Sequence, residues 1–228
     1  MKLKNEIEFK VWGRYALFTD PLTKMGGEKC SYHIPTYEAL KGIVKSIYWK
    51  PSLIWYIDKV RIMNKIQTQT KGIKTLKMNN EKNDLFIYSY LSNVEYQVKA
   101  HYDWNYHSLK QDKNENKHNS IIKRSLEHGG RQDIFLGTRD CQGYVEPCTF
   151  GSEKGAYDED QEIAYGIMFH GFDYPDETGK NELWCRLWNP KMVKGIIDFI
   201  SPDKCTIRKF IRNMTPKKFE KKQEGIIV

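Results

Sequence analysis

The chain has 228 residues, of which 39% are hydrophobic and 13% aromatic, and its 37 Lys and Arg against 29 Asp and Glu give a net charge of +8. This length and composition exclude disorder as the default state and allow one large globular domain or two small ones. The positive charge favours a polyanionic partner, either nucleic acid or an anionic membrane surface.

The five cysteines form no Cys-x-x-Cys pair, so the sequence indicates neither a disulfide framework nor a zinc ribbon. The N-terminal residues lack the apolar core of a signal peptide, and no apolar run is long enough to cross a bilayer. We therefore expect a soluble, cytoplasmic protein with reduced thiols.

The first part of the chain predicts a strand, a helix and a second strand. Residues 8–18 are rich in aromatic and β-branched side chains, as strands are. Thr36 is a suitable helix N-cap and Pro51 ends the stretch that follows, so we predict a helix over residues 37–49. Its apolar side chains recur at helical spacing, at Leu40, Ile43, Val44 and Ile47. Residues 53–63 predict the second strand.

The middle of the chain predicts a polar connection, a long strand and a second helix. Residues 67–84 are polar and Lys-rich and predict a long loop or an irregular hairpin. Residues 94–104 alternate between apolar and polar side chains, which is the period of a strand with one buried face. Residues 120–128 predict a short helix, with Asn119 as its N-cap and Gly129-Gly130 as its end.

Residues 134–136 and 144–145 supply further strands, which completes the order β-α-β-β-α-β. This order is typical of an α+β, ferredoxin-like domain, in which two helices cover one face of a four-stranded antiparallel sheet, as in the RNA-recognition motif. Beyond about residue 151, short apolar runs predict a smaller β-rich domain with one helix near residues 190–199. We therefore expect a ferredoxin-like domain at residues 1–150 and a C-terminal β-sheet domain at residues 151–228.

Two adjacent cationic side chains, Lys117 and His118, lie just before the predicted second helix. Histidine exchanges protons near neutral pH and a helix N-terminus attracts phosphate, so this pair is suited to chemistry on a phosphate ester. The alternative is two ordinary exposed loop residues. Tyr48, at the end of the predicted first helix, is by itself more typical of a ring that packs and a hydroxyl that meets water.

The other candidates are weaker. His101, His107 and His118 with Asp103 match no metal-ligand spacing, so we expect neither a metal nor another cofactor. Basic residues concentrate in residues 41–77 and 204–222, which favours a basic face. Candidate contacts to a nucleic-acid backbone are Lys41, Lys45, Lys50, Arg124 and Arg131.

Five segments between about residues 8 and 210 carry a resemblance to a known family. They are FKVWGRYALFTDP, GGEKCSYHIPTYEALKGIVKSIYWKP, NENKHNSIIKRSLEHGGR, DIFLGTRDCQGYVEP and MFHGFDYPDE. Together, and in this order, they resemble the CRISPR-associated Cas-five family of the RAMP superfamily, in its type I-C (Dvulg) subtype. The resemblance implies the fold predicted above, a ferredoxin-like domain followed by a β-sheet domain.

The resemblance also implies a function. In this subtype the protein is a metal-independent endoribonuclease that cleaves the repeat hairpin of precursor CRISPR RNA. It then stays on the 5′ handle in the Cascade complex, with the other type I-C subunits as partners in antiviral defence. The family's catalytic Tyr, Lys and His fall on Tyr48, Lys117 and His118. Gln132 stands where we expect a second Arg. This difference would weaken a phosphate contact and leave catalysis in place.

The chemistry of RNA cleavage agrees with these three residues. The ribose 2′-hydroxyl is itself the nucleophile, so the reaction needs a base, a cation and an acid but no metal. We assign proton transfer to His118, most simply as the base, and stabilisation of the phosphate charge to Lys117. Tyr48 either positions a group or donates a proton. The expected products are a 2′,3′-cyclic phosphate, or its hydrolysed form, and a free 5′-hydroxyl.

Two alternatives remain open. The first is a non-catalytic Cascade subunit that caps the 5′ handle, which would not need to keep Tyr48, Lys117 and His118. The second is a general RNA-binding module, for which we expect a salt-dependent affinity with no preference for the repeat.

Overall fold

The computed structural model describes residues 5–21, 23, 28–76, 83–107, 113–159 and 162–217. Up to residue 150 it contains seven strands and two helices: β1 (Glu6–Ala16), β2 (Glu28–Cys30), α1 (Tyr37–Ile47), β3 (Leu53–Ile62), β4 (Thr68–Leu76), β5 (Asn83–Trp104), α2 (Glu115–Glu127), β6 (Ile134–Phe135) and β7 (Gln142–Pro147). The remainder contains β8 (Glu162–Ala164), β9 (Met168–Asp173), α3 (Pro175–Thr178), β10 (Glu182–Trp188), β11 (Lys191–Val193), β12 (Ile196–Asp198), a 3₁₀ turn (Pro202–Lys204) and β13 (Ile207–Asn213).

The centre of the main sheet has the order β7-β1-β5-β3, and each of these neighbouring pairs is antiparallel. This is the strand order of a ferredoxin-like sheet, so the predicted fold class is confirmed. Phe9 lies opposite Val98 in the register of β1 and β5. Both are fully buried, together with the apolar residues of α1 and α2, in one hydrophobic core. The alternation predicted for β5 therefore places its apolar side chains under the helices.

Short strands widen this sheet at both ends. β6 adds to β7, while β12, β11 and β8 continue beyond β3. The helix predicted near residues 190–199 is wrong, because β11 and β12 form a hairpin there. Lys194 and Gly195 have φ angles of 48° and 75°, which turn the chain back after Val193. Met192 and Ile197 pair across this hairpin and are buried.

The strands β13, β10 and β9 form a second, separate sheet of three antiparallel strands. The C-terminal part of the chain is therefore β-rich, as predicted, but three of its strands belong to the main sheet. The domain boundary at residue 150 stays a prediction. Among the described residues, no helix is both long and apolar enough to span a membrane.

The first helix begins where the sequence predicts. The Thr36 hydroxyl accepts a hydrogen bond from the backbone N–H of Ala39 at 3.2 Å, which caps α1. The helix ends at Ile47, two residues earlier than predicted. Tyr48 follows in an extended conformation, with φ −159° and ψ 128°.

The start predicted for the second helix is wrong. Asn114 is the N-cap, and its side chain accepts a hydrogen bond from the backbone N–H of Lys117 at 3.1 Å. Asn119 instead lies within α2, where it accepts a hydrogen bond from the Tyr102 hydroxyl at 2.9 Å. Lys117 and His118 therefore belong to the first turns of the helix. The predicted end is confirmed, because Gly129 and Gly130 both have positive φ.

The Lys-rich segment, residues 67–84, was predicted as a long loop or an irregular hairpin, and it forms a hairpin. β4 pairs antiparallel with the first half of β5, from Thr68 opposite Leu91 onwards. The segment between these two strands, residues 77–82, lies outside the described residues.

Candidate active site

A tyrosine and a histidine that lie 70 residues apart in sequence meet in the core of the protein. The Tyr48 hydroxyl is 2.8 Å from Nδ1 of His118. Both side chains have 0% exposure. The ring of Trp104 packs edge-on against His118, with the ring centres 5.6 Å apart. The structure thus brings together two of the three predicted catalytic residues.

The backbone around Tyr48 fixes the position of its side chain. Its N–H donates to the carbonyl of Val44 at 3.0 Å, which completes the last turn of α1. Its carbonyl accepts a hydrogen bond from Nε1 of the buried Trp55 at 2.8 Å. With both backbone groups bonded and the residue extended, the phenol is directed at the inner face of α2, where His118 lies.

The hydrogen bond between Tyr48 and His118 can run in either direction. A neutral imidazole accepts the phenolic proton at Nδ1 in one tautomer and donates its own proton in the other. In both cases the phenol orients the ring. The pair can therefore hold and transfer a proton at His118.

One cationic residue is adjacent to the pair in sequence, and another contacts it in space. Lys117 precedes His118 and is exposed at the start of α2. The Arg131 guanidinium lies 5.7 Å from the centre of the Tyr48 ring, within range of a cation–π contact. The backbone N–H groups of Arg131 and Gln132 both donate to the carbonyl of Ser46 at 3.1 Å, which docks this loop on the end of α1.

The position of Lys41 does not agree with a contact to nucleic acid. Lys41 is 2% exposed, and its ammonium group lies 2.5 Å from Oε2 of Glu177. Burial lowers the pKa of Lys41, against the attraction of Glu177. Lys45 reaches the other oxygen of the same carboxylate at 3.3 Å. We therefore remove Lys41 from the candidate backbone contacts, since its charge is already buried and paired.

The remaining basic candidates differ in exposure. Arg124 is exposed on α2 and Lys50 is half-buried after α1, and both stay predictions. Within the basic segment, Lys59 pairs with Asp198 at 2.6 Å and Arg61 pairs with Asp158 at 2.7 Å.

Lys71 is among the basic residues whose contacts with aromatic rings the sequence did not predict. Lys71 on β4 lies 3.4 Å from the centre of the Tyr15 ring on β1. A hydrogen bond from Lys71 lowers the pKa of Tyr15. The only signal in the sequence was the basic composition of this segment, because the contact joins two strands distant in sequence.

His101 lies on the sheet face opposite the helices, where it pairs with Asp58 on β3 rather than with Asp103. Nδ1 of His101 is 2.8 Å from the Asp58 carboxylate, and its ring stacks on Tyr56 with the ring centres 5.2 Å apart. The described part of the chain contains no group of three or more His, Cys, Asp or Glu that could hold a metal ion.

This ion pair predicts a pH-dependent contribution to stability. The hydrogen bond to Asp58 raises the pKa of His101 above its ordinary value. The contribution is therefore fully present below about pH 6.5, the unperturbed value, and is lost as the pH rises through the raised pKa. We expect Asp58→Asn to destabilise the protein more at pH 5.5 than at pH 9, as measured by urea unfolding. Asp198→Asn, which removes the partner of Lys59, should show no such trend, and an equal trend in both variants would contradict the assignment.

The central sheet order and its two helices define an α+β protein of the ferredoxin-like class with a second, three-stranded sheet. Residues 6–200 match the family described as CRISPR-associated protein Cas5, in its Cas5d form. The chain belongs to this family, as the resemblance of its motifs predicted.

Known proteins similar to this chain include two curated relatives and one solved structure. A protein of Mannheimia succiniciproducens named CRISPR pre-crRNA endoribonuclease Cas5d is 38% identical over 68 residues, which cover 30% of this chain and 29% of the relative. A protein of the same name from Thermus thermophilus is 35% identical over 57 residues, which cover 25% of this chain and 24% of the relative. The crystal structure of a CRISPR-associated protein, 34% identical, superposes with a TM-score of 0.76 over 90% of this chain and 96% of that one.

Proposed function

We propose that this protein is a metal-independent endoribonuclease that cleaves the repeat hairpin of precursor CRISPR RNA in the cytoplasm. It then remains on the 5′ handle as a subunit of Cascade. The observation that carries this proposal is the hydrogen bond of 2.8 Å between Tyr48 and His118. The names of the two curated relatives give additional support.

The reaction assigns one task to each residue. His118 takes the proton of the 2′-hydroxyl, whose oxygen attacks the neighbouring phosphorus. Lys117 and Arg131 stabilise the added negative charge on the phosphate oxygens. The bond from phosphorus to the 5′ oxygen then breaks, and that oxygen receives a proton from Tyr48 or from the protonated His118. The products are a 2′,3′-cyclic phosphate and a 5′-hydroxyl.

The proton-transfer residues and the cations of this site differ in their exposure to solvent. Tyr48 and His118 are fully buried, whereas Lys117 and Arg131 are exposed. The cations are therefore the first groups that a phosphate meets, and the buried pair must become accessible as the RNA binds. The RNA hairpin supplies specificity through its shape and its flanking single strands, because the deep major groove of A-form RNA hides the base edges.

The first experiment uses the purified protein, its cognate repeat RNA and EDTA. We expect a single cut in EDTA, and no cut when the 2′-hydroxyl at that position is replaced by hydrogen, because the nucleophile is then absent. Products are resolved on denaturing gels, and treatment with acid reveals the cyclic phosphate. Cleavage that requires a divalent cation, or that survives the 2′-deoxy substitution, would refute the mechanism.

The second candidate function is a non-catalytic subunit that caps the 5′ handle. The full burial of Tyr48 and His118 favours it, since a buried pair also has a purely structural use. Tight binding of the repeat RNA without any cut would support this second function.

A further inference from the structure

Trp104 is the last residue of β5 and contacts the proposed catalytic histidine. Its indole ring and the imidazole ring of His118 meet edge-on, with the ring centres 5.6 Å apart and the ring planes at 67°. The proposed reaction assigns no task to this tryptophan, although it touches the residue that transfers the proton.

Trp104 belongs to a closed cycle of contacts around the catalytic pair. The carbonyl of Tyr48 accepts a hydrogen bond from Nε1 of Trp55. The Trp55 ring packs edge-on against Tyr102, with the ring centres 5.4 Å apart. The Tyr102 ring packs in the same way against Trp104 at 5.9 Å, and Trp104 contacts His118. The end of α1 and the elements β3, β5 and α2 therefore meet in one aromatic cluster.

The five members of this cluster differ in their exposure to solvent. Tyr48, Trp55 and His118 are 0% exposed, and Tyr102 is 2% exposed. Trp104 is half-buried, so it is the member of the cluster that water reaches. A phosphate that approaches His118 along the indole displaces one half-buried side chain, whereas an approach through the other members would break the core.

The position of Trp104 in the sheet limits the movement that opens this path. Its backbone is paired with β3, opposite Leu53, so the indole can rotate about its side-chain bonds while the strands stay in place. The rotation loses the ring contacts with His118 and Tyr102, and a ligand must offset that loss by binding the rotated form better. An unpaired RNA base does so, because it stacks on an exposed indole.

We propose that Trp104 is the gate of the catalytic pair. In the free protein its indole separates His118 from solvent. When the repeat RNA binds, the indole rotates outward, stacks on an unpaired base next to the cut and admits the phosphate to His118. This inference rests on the proposed function, since it takes the repeat RNA as the ligand, and it accounts for the reaction of a phosphate with a fully buried pair.

The first test uses no RNA, so its result does not depend on cleavage. The full-length protein is treated with diethyl pyrocarbonate, which modifies accessible, unprotonated imidazole rings, and mass spectrometry identifies the modified histidines. In the wild type, the exposed His128 should react, while the fully buried His118 and His170 should be protected. In Trp104→Ala, His118 should lose its protection and react as His128 does.

His170 shows whether the variant is folded, because it is buried away from the cluster, against Tyr37 and Trp188. A reactive His118 with a protected His170 means that the gate alone has opened. If both histidines react, Trp104→Ala has unfolded, and Trp104→Leu, which keeps more of the packing, takes its place. A protected His118 in a folded variant would overturn the proposal.

The second test follows the rotation of the indole. The ligand is the repeat RNA with a 2′-deoxy nucleotide at the cut, or the unmodified RNA if the protein does not cleave it. We expect binding to change the tryptophan fluorescence of the wild type, and Trp104→Phe to lose most of this change. Trp184→Phe is the matched control, because Trp184 on β10 is also half-buried and also makes an edge-on ring contact, with Phe210. It should keep the change.

The two tests separate the gate from the proposed function. An RNA-induced change that is the same in Trp104→Phe and in the wild type, or that is absent from a wild-type complex, would overturn the gate even if the wild type cleaves the repeat. Both expected results in a protein that binds the repeat without a cut would support the gate and refute the cleavage.

Discussion

Replacing His118 with alanine is expected to lower the rate of repeat cleavage by roughly 10²- to 10⁴-fold, the usual contribution of a positioned acid or base. The affinity for the repeat should change little, because the phosphate contacts are proposed for the exposed Lys117 and Arg131 and not for His118. The measurement is a single-turnover cleavage assay in EDTA, paired with a binding assay on the 2′-deoxy RNA. His128→Ala removes an exposed histidine at the other end of α2 and should cleave at the parental rate.

Tyr48→Phe removes the hydroxyl and keeps the buried ring. His118 then loses the hydrogen bond that orients it. Loss of a buried hydrogen-bond partner lowers the free energy of unfolding by about 1–3 kcal/mol. A substrate with sulfur in place of the 5′ bridging oxygen separates the two roles of Tyr48, because a thiolate leaves without a proton. Recovery of the Tyr48→Phe rate on this substrate would assign the proton to Tyr48, whereas an unchanged defect would assign it an orienting role. Parental rates in both His118→Ala and Tyr48→Phe would contradict the catalytic site altogether.

Local signals predicted those elements in which capping and periodicity agree. Thr36 precedes an apolar repeat at helical spacing, and α1 begins there. The second half of β5 follows from its alternation, because the apolar side chains from Val94 to Tyr102 reach the core under the helices. The centre of the ferredoxin-like sheet was therefore predictable from the sequence.

The errors arose where one stretch of sequence offered two local solutions. The segment NENKHNS contains more than one possible Asn cap, and Asn119 is used in the core by Tyr102 rather than at the helix end. Residues 190–199 have the apolar content of a helix, but Lys194-Gly195 forms a tight turn that makes a hairpin. A tertiary contact decided the first case, whereas the second was decided by a local turn whose glycine the sequence already shows.

In the candidate site, too, the sequence predicted some features and could not predict others. The resemblance selected Tyr48 and His118, while no spacing in the sequence links two residues 70 positions apart. Charge suggested Lys41 as a contact to RNA, but charge does not report burial.

Of the substitutions considered around α1, Glu177→Ala is expected to lower the free energy of unfolding most. The Lys41 ammonium is 2% exposed and pairs with that carboxylate, whose side chain is 19% exposed. Glu177→Ala leaves a buried charge without its partner, which typically costs about 3–5 kcal/mol. Lys45→Ala removes a more exposed partner of the same carboxylate, for which about 1 kcal/mol or less is expected. Urea unfolding at neutral pH measures both.

The pH dependence of Glu177 has a definite sign. Burial acts to raise the pKa of Glu177, but Lys41 and Lys45 outweigh burial and lower it. The stabilisation is therefore fully present above the unfolded pKa of about 4.3 and is lost as the pH falls through the lowered value. The difference in unfolding free energy between wild type and Glu177→Ala should shrink in acid, and a difference that grows there would contradict the ion pair.

Replacing both Lys41 and Glu177 separates the effect of their ion pair on stability from any contact of Lys41 with RNA. In Lys41→Met with Glu177→Leu no charge is left buried, so the double variant should recover most of the stability that Glu177→Ala loses. It should also bind repeat RNA with the salt dependence of the wild type, because a buried lysine releases no counterion from the phosphates. A shallower salt dependence in the double variant would show that Lys41 does reach the RNA, and would return it to the backbone contacts from which its burial removed it.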